Sequence, residues 1–178
     1  MRSIFATIVL AATACSSTPA PVVTTPAPAA PAVTQPPPMS EDARAALATV
    51  QRLFDAMRTR DTAAMRMMFD ANARLYGLRT RRDSTVVVQA ITGKDFIGAV
   101  AASANGPAWN ERMFDPEVRV SGPLATVWTE YDFHAGTTFS HCGVDAIQLL
   151  KVGETWKIVS ITDTLVRAGC TARALQDE

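Results

Sequence analysis

The segment 16–39 decides where this chain can fold. It is built almost wholly from Ser, Thr, Pro, Ala and Val, closes on Pro36-Pro37-Pro38, and carries no aromatic residue and no apolar period. Such a stretch buries too little to offset the entropy lost on folding. Its prolines favour an extended conformation of about 3.1 Å per residue. A disordered linker is therefore expected over 16–39. Ahead of it stand Arg2, an apolar run over 4–12, and Ala12-Thr13-Ala14-Cys15. The run is shorter than the roughly 20 residues of a bilayer-spanning helix. A basic start, a short apolar run and small residues before a cysteine describe a cleavable export signal over 1–15. Two processings fit. One is a lipobox, with Ala12 where leucine is usual, which would anchor the protein to the membrane by a lipid on Cys15. The other is ordinary cleavage at an A-x-A site. The expectation is an exported lipoprotein of the periplasm or cell envelope, with a secreted soluble protein as the alternative.

Folding then falls on 40–170, followed by a short tail over 171–178. Roughly 135 residues suffice for a single core. The chain has 17 basic and 17 acidic residues, so no basic surface points to nucleic acid. Arg79, Arg81 and Arg82 cluster locally and read as a solvated hairpin loop. Cys15, Cys142 and Cys170, with His134 and His141, have no zinc-site spacing. There is no glycine-rich phosphate loop or serine elbow either, so neither metal nor cofactor is expected.

Ser40 can cap a helix whose first turn carries Glu41 and Asp42 at the positive end of its dipole. Leu47, Val50, Phe54 and Met57 follow at helical spacing. Asp61 opens a second helix with Met65, Met68 and Phe69, where the methionines serve as core filler. Asp70 to Ala73 read as a turn. Strands are expected over 74–79 and 85–91 around a turn at Arg82-Asp83-Ser84. Thr92 then caps a third helix holding Phe96, Ile97 and Val100. Strands follow over 109–114, 118–120, 125–134, 138–150 and 155–164, with turns at Gly122, Gly136 and Gly153. Helices first and an antiparallel run afterwards mean an α+β fold, a curved antiparallel or mixed sheet against about three helices.

The order of elements, with Leu53-Phe54-Asp55-Ala56 on the first helix and Trp156-Lys157-Ile158-Val159 on the last strand, resembles the nuclear transport factor 2-like superfamily. Trp128 to Phe133, Phe139 to Ala146 and Ala168-Gly169-Cys170 resemble its SnoaL-like and putative lumazine-binding branch. The resemblance implies a cone with a pocket at its wide end. It covers isomerases, cyclases, dehydratases, binding modules and dimerising domains, so activity must come from the site.

Strand alternation nominates that site. If Ala135-Gly136 is a two-residue loop, Glu130 faces His141, Asp132 faces Phe139 and Trp128 faces Gly143. If Gly153-Glu154 is another, Leu149 faces Ile158 and Asp145 faces Thr162. One sheet face then gathers Trp128, Glu130, Asp132, Phe139, His141, Asp145 and Trp156, a mixture suited to a small, partly apolar ligand. Its opposite gathers Tyr131, Phe133, Cys142 and Val159, and the resemblance implies that this outer face could serve for homodimerisation. Neighbours across strands stand about 5 Å apart, so Glu130 could orient His141 for general acid/base work, with Asp132 assisting. His141 and Asp145 lie about 13 Å apart along one strand and form no dyad. His134 reads as exposed. Exported cysteines tend to pair; a Cys142–Cys170 disulfide closing about 27 residues would contribute roughly 3 kcal/mol. The leading reading is an envelope-anchored ligand-binding domain with contacts from Trp128, Phe139, Asp145 and Trp156. The alternatives are an isomerase or dehydratase using His141, Glu130 and Asp132, and a dimerising scaffold.

Overall fold

The computed structural model describes residues 38–173. The expected signal, Cys15 and nearly all of the linker lie outside them, as does the end of the tail. Three helices and six strands follow in the order α1 (Glu41–Thr59), α2 (Thr62–Met68), β1 (Phe69–Thr80), β2 (Val86–Thr92), α3 (Gly93–Ala102), β3 (Trp109–Ser121), β4 (Leu124–Ala135), β5 (Thr138–Val152) and β6 (Thr155–Leu165). Each helix begins on a side chain that accepts from an otherwise unpaired backbone N–H. Ser40 caps α1, Asp61 caps α2, and Thr92 caps α3 in a reciprocal pair with Asp95. Arg60, in the left-handed region, ends α1.

The strands form one curved sheet in the order β2-β1-β6-β5-β4-β3. Only the β1–β6 pair is parallel, and the other four pairs are antiparallel. The core lies between the sheet's concave face and the helices. Val50, Leu53 and Met57 of α1 meet Val127, Ile147, Leu149 and Ile158 there. Leu53 is fully buried, and truncation to alanine is expected to cost about 2–5 kcal/mol. Met65 and Met68 belong to this core, whereas Met67 is exposed.

Two element boundaries differ from expectation. Asp70 to Ala73 continue β1 across an irregularity rather than turning. The stretches 109–114 and 118–120 are one strand, bent between Phe114 and Glu117 around the positive φ of Asp115.

The β4–β5 register differs more consequentially. Ala135 pairs with Thr138, so the loop is Gly136-Thr137. Gly136 has φ +63°, as the first loop position of a type II′ turn requires. A further irregularity leaves Ser140 unpaired, so that Phe133 faces His141 and Glu130 faces Val144. The combined displacement is odd and exchanges the two faces of β4 relative to β5. On β6, Leu149 does face Ile158, but an irregularity at Val159 sets Asp145 against Asp163 rather than Thr162.

Candidate functional site

The concave face and the helices enclose a cavity of about 380 Å³. The same cross-strand rows that set the register build its walls. Glu111, Phe133 and His141 stand side by side on β3, β4 and β5, and Gly77, Asp163 and Asp145 on β1, β6 and β5. Leu53, Phe54 and Met57 from α1 and Phe96 from α3 cover them. Aromatic contacts run continuously along one side. Phe96 lies 6.2 Å from Trp109, and Trp109 lies 6.2 Å from Phe133. His141 is stacked on Phe133 at 4.9 Å and meets the Tyr131 ring edge-on at 5.8 Å.

Gly143 makes this arrangement possible. A Cβ there would stand 1.9 Å from Thr164 O and 2.8 Å from a Tyr131 ring carbon. Without one, the Tyr131 ring crosses the sheet and its hydroxyl donates to Thr164 O at 2.8 Å.

The polar groups are mostly acids. Asp145 is 2 % exposed, and its Oδ2 receives no hydrogen bond. Burial raises its pKa to about 7; a hydrogen bond with Glu111 opposes the rise and the charge of Asp163 adds to it. Glu111 is raised well above the carboxylate range, by burial first and then by Asp145. Such a pair holds a proton between its members near neutral pH. Asp163 has the cation that these two lack, with Arg79 Nη1 2.6 Å from its Oδ2. Burial pushes His141 down to about 4, helped by Arg167 and Arg79, so its ring is neutral at pH 7. Ser140 Oγ stands 3.0 Å from its Nδ1. Tyr131 is raised by burial and by the neighbouring acids. The set offers two protonatable carboxyls and a neutral imidazole beside an aromatic wall.

The expected site residues divide between the two faces. His141 and Asp145 line the cavity, while Glu130, Asp132 and Trp128 are across the sheet because of the exchanged register. Trp128 faces Ala146 and is 55 % exposed over an outer groove with Glu117 and Arg119. Glu130 is exposed and pairs with Arg173. Asp132 faces Cys142 and is bound by Arg112, with Nε donating to Oδ1 at 2.7 Å and Nη2 to Oδ2. Phe139 faces His134, and their rings meet edge-on at 5.6 Å outside the cavity. His134 is buried rather than exposed, 3.6 Å from Asp132. Trp156 is in the core, beside Ala56 and Met68 of α1 and α2. The surface expected for dimerisation loses Tyr131 and Phe133 to the cavity. Cys142 and Cys170 are joined, tying the tail to β5.

Glu111, Asp163, Arg79, Trp109 and Phe133 complete the site and were not expected there. For the acids a signal exists. Glu111 sits between Trp109 and Met113, Asp163 between Ile161 and Leu165, and Asp145 between Gly143 and Ile147. Each occupies the inward phase of an apolar alternation, where an acid has to be explained. Arg79 reaches Asp163 only through the parallel β1–β6 pairing, which no local pattern announces.

Over residues 41–162 the chain matches the family described as "putative lumazine-binding". No curated protein matches it. Among solved structures it is similar to a cystatin-like-fold protein of unknown function from Nostoc punctiforme, at 9 % identity and TM-score 0.56, covering 70 % of this chain and 91 % of that one. It is also similar to a putative dehydratase of the NTF2-like family from Streptomyces avermitilis, at 16 % identity and TM-score 0.53, covering 71 % and 97 %. An NTF2-like protein of unknown function from Silicibacter pomeroyi is 20 % identical at TM-score 0.54, covering 71 % and 97 %. These likenesses show the fold alone, an α+β arrangement of a curved sheet and helices shared with cystatin-like and NTF2-like proteins.

Proposed function

We propose, for a chain that belongs to the putative lumazine-binding family, that the concave cavity binds a small, planar, partly apolar molecule. One observation carries this reading: Asp145 is buried beside an aromatic wall, no N–H or hydroxyl group reaches its Oδ2, and its side-chain partner is a second carboxyl, Glu111. A carboxyl left so within a core is costly unless a ligand or water completes it. The cavity is also within the size range of small-molecule sites, and the family's description supports an aromatic heterocycle. The test is native mass spectrometry of the full chain, purified from its source without denaturation. A small mass that leaves on denaturation is expected, and it should be lost in Phe133→Ala. A bound mass that persists in Phe133→Ala but is lost in Trp128→Ala would move the site to the outer groove. Presentation at the cell envelope, through lipid on Cys15, belongs to the same proposal and rests on the sequence before residue 16. So does any homodimer, which would use the outer face around Trp128.

A second reading draws on Asp145 alone. A carboxyl poised at about 7 suits general acid/base catalysis at neutral pH. A dehydratase or isomerase would then use Asp145 and Glu111, with neutral His141 as a hydrogen-bonding partner. Turnover of a hydroxylated or ketonic ring compound, abolished by Asp145→Asn, is its signature.

A further inference from the structure

We infer that the cavity takes a planar organic cation, an amidinium or a protonated amino-heterocycle, whose N–H groups fall on Asp145 and Glu111 and whose face lies along Trp109 and Phe133. This inference rests on the cavity reading above and names the class of its ligand. The argument is one of unmatched acceptors. Three carboxyl groups, Glu111, Asp145 and Asp163, line the space, against the single guanidinium of Arg79. Arg79 is engaged by Asp163 and by Leu78 O. The Tyr131 hydroxyl donates to Thr164 O. Asp145 is thus left buried with another acid, Glu111, as its side-chain partner and with no N–H or hydroxyl donor at its Oδ2.

A ligand that only accepts hydrogen bonds, such as a carboxylate or phosphate, would bring more acceptors and more negative charge to a site that already has both in surplus. A ligand with N–H donors supplies what is missing. Charge decides between a neutral and a cationic donor. With one proton between Glu111 and Asp145, and Asp163 matched by Arg79, the cavity retains one net negative charge. A cation cancels it and meets the electron-rich faces of Trp109 and Phe133. Among the described residues no three His, Cys, Asp or Glu side chains are arranged to hold a metal ion. The donors must therefore be spread over an organic framework.

Below about pH 7 Asp145 takes up a second proton, and binding of the cation should displace that one, leaving the pair with the single proton it holds at pH 8. The groups facing the pair are Arg79 from β1, Tyr131 from β4, His141 from β5 and Asp163 from β6, with Arg167 of the tail near His141 and Asp132 acting through the sheet. From α1 and α3 come only apolar side chains, Leu53, Phe54, Met57 and Phe96.

The test uses three probes of one shape, benzamidine (cation), benzamide (neutral) and benzoate (anion). The full chain is titrated with each, followed by amide NMR shifts and by calorimetry in two buffers of different ionisation enthalpy. Benzamidine should bind about tenfold or more tighter than benzamide, and benzoate should not bind. Its affinity should fall about 30-fold from pH 8 to pH 5.5, with about one proton released per ligand near pH 6. Asp145→Asn and Glu111→Gln should each remove the preference for benzamidine and leave benzamide unchanged. Equal binding of the two, pH-independent benzamidine binding, or a preference that survives both variants overturns the cationic class and leaves the cavity reading intact. If no probe shifts the cavity residues, naphthalene decides: binding overturns the cationic class alone, and no binding overturns the cavity reading with it.

Discussion

Asp132 and Asp145 are the same residue type at nearly the same solvent exposure, 1 % and 2 %, on opposite faces of one sheet. Their proton affinities nevertheless move in opposite directions. At Asp132, burial resists ionisation, but hydrogen bonds from Arg112 and the Arg173 amide outweigh it and hold the carboxyl below its ordinary range. At Asp145, burial meets no cation and the carboxyl rises to about 7. Solvent exposure alone therefore does not tell a structural acid from a functional one. Depth of burial and the partner together do. Asp132 is complete within the protein, where two arginines and His134 surround it. Asp145 is completed only by another acid and by whatever enters the cavity.

The sharpest break of this comparison is the same isosteric change at both sites. At pH 8, Asp132→Asn leaves the Arg112 guanidinium facing an amide on the outer face, and removal of one partner from a buried pair is worth about 3–5 kcal/mol. Urea unfolding should show a loss of that order. If Asp132→Asn proves neutral, the contrast between the two acids is not one of partners.

The next effect concerns the tail that brings Arg173 to Asp132. The Cys142–Cys170 link closes a separation of 28 residues. Cys170→Ser should therefore cost about 3 kcal/mol through loop entropy. It should also raise the Asp132 pKa only part of the way, because Arg112 remains in place. A carbon-detected NMR titration of the Asp132 carboxyl separates the two effects. Full return to an ordinary aspartate value would mean that the tail, not Arg112, sets its charge.

The sequence reading put both acids on the cavity face, and the structure leaves Asp145 there but moves Asp132 to the other. Helix caps at Ser40, Asp61 and Thr92 were legible because capping is settled within four residues. The α+β order was legible because the apolar period changes from helical to alternating after α2 and again on either side of α3. Register was not, because it depends on single residues. Glycine leads the three two-residue hairpin loops, at Gly122, Gly136 and Gly153, each with positive φ. Applying the Gly153-Glu154 pattern to its neighbour would have given Gly136-Thr137. The irregularity at Ser140 would still have remained invisible, since nothing in Phe139-Ser140-His141 marks an unpaired residue. His141 and Asp145 were legible as candidates because they share one strand phase with Ile147 and Leu149. Their partners were not, because Glu111 and Asp163 come from strands whose pairing is fixed elsewhere in the sheet.

Asp145→Asn should act in the opposite sense to Asp132→Asn. At pH 8 the native state holds a negative charge in a cavity with no cation to match it, and an amide of the same shape removes that burden. Stability should rise by about 1–3 kcal/mol at pH 8 and change little at pH 5, where the carboxyl already keeps its proton. Ligand binding should weaken at both. Destabilisation at pH 8 would mean that donors other than Glu111 hold Asp145 and that it is a structural acid like Asp132.

The smallest effect sets the cavity's own groups against each other. Asp145 has an ordinary value of 3.8 when unfolded and about 7 when folded. Between those limits the folded chain holds a proton that the unfolded chain has lost, so stability falls as pH rises from about 4 to 7. His141 goes from 6.5 to about 4 on folding. The unfolded chain there holds the extra proton, so stability rises with pH between about 4 and 6.5. Over the shared window the two slopes, each at most about 1.4 kcal/mol per pH unit, largely cancel. Removing the imidazole exposes the acid slope. Relative to wild type, His141→Gln should gain stability as pH is lowered from 6.5 to 4.5 and show no relative change above 7. Outer-face groups such as Asp132 are common to both proteins and drop out of the difference. Urea midpoints at half-unit intervals of pH measure it. A difference that stays flat between pH 6.5 and 4.5 would place His141 in water, and the cavity would then lack the dry environment that raises Asp145.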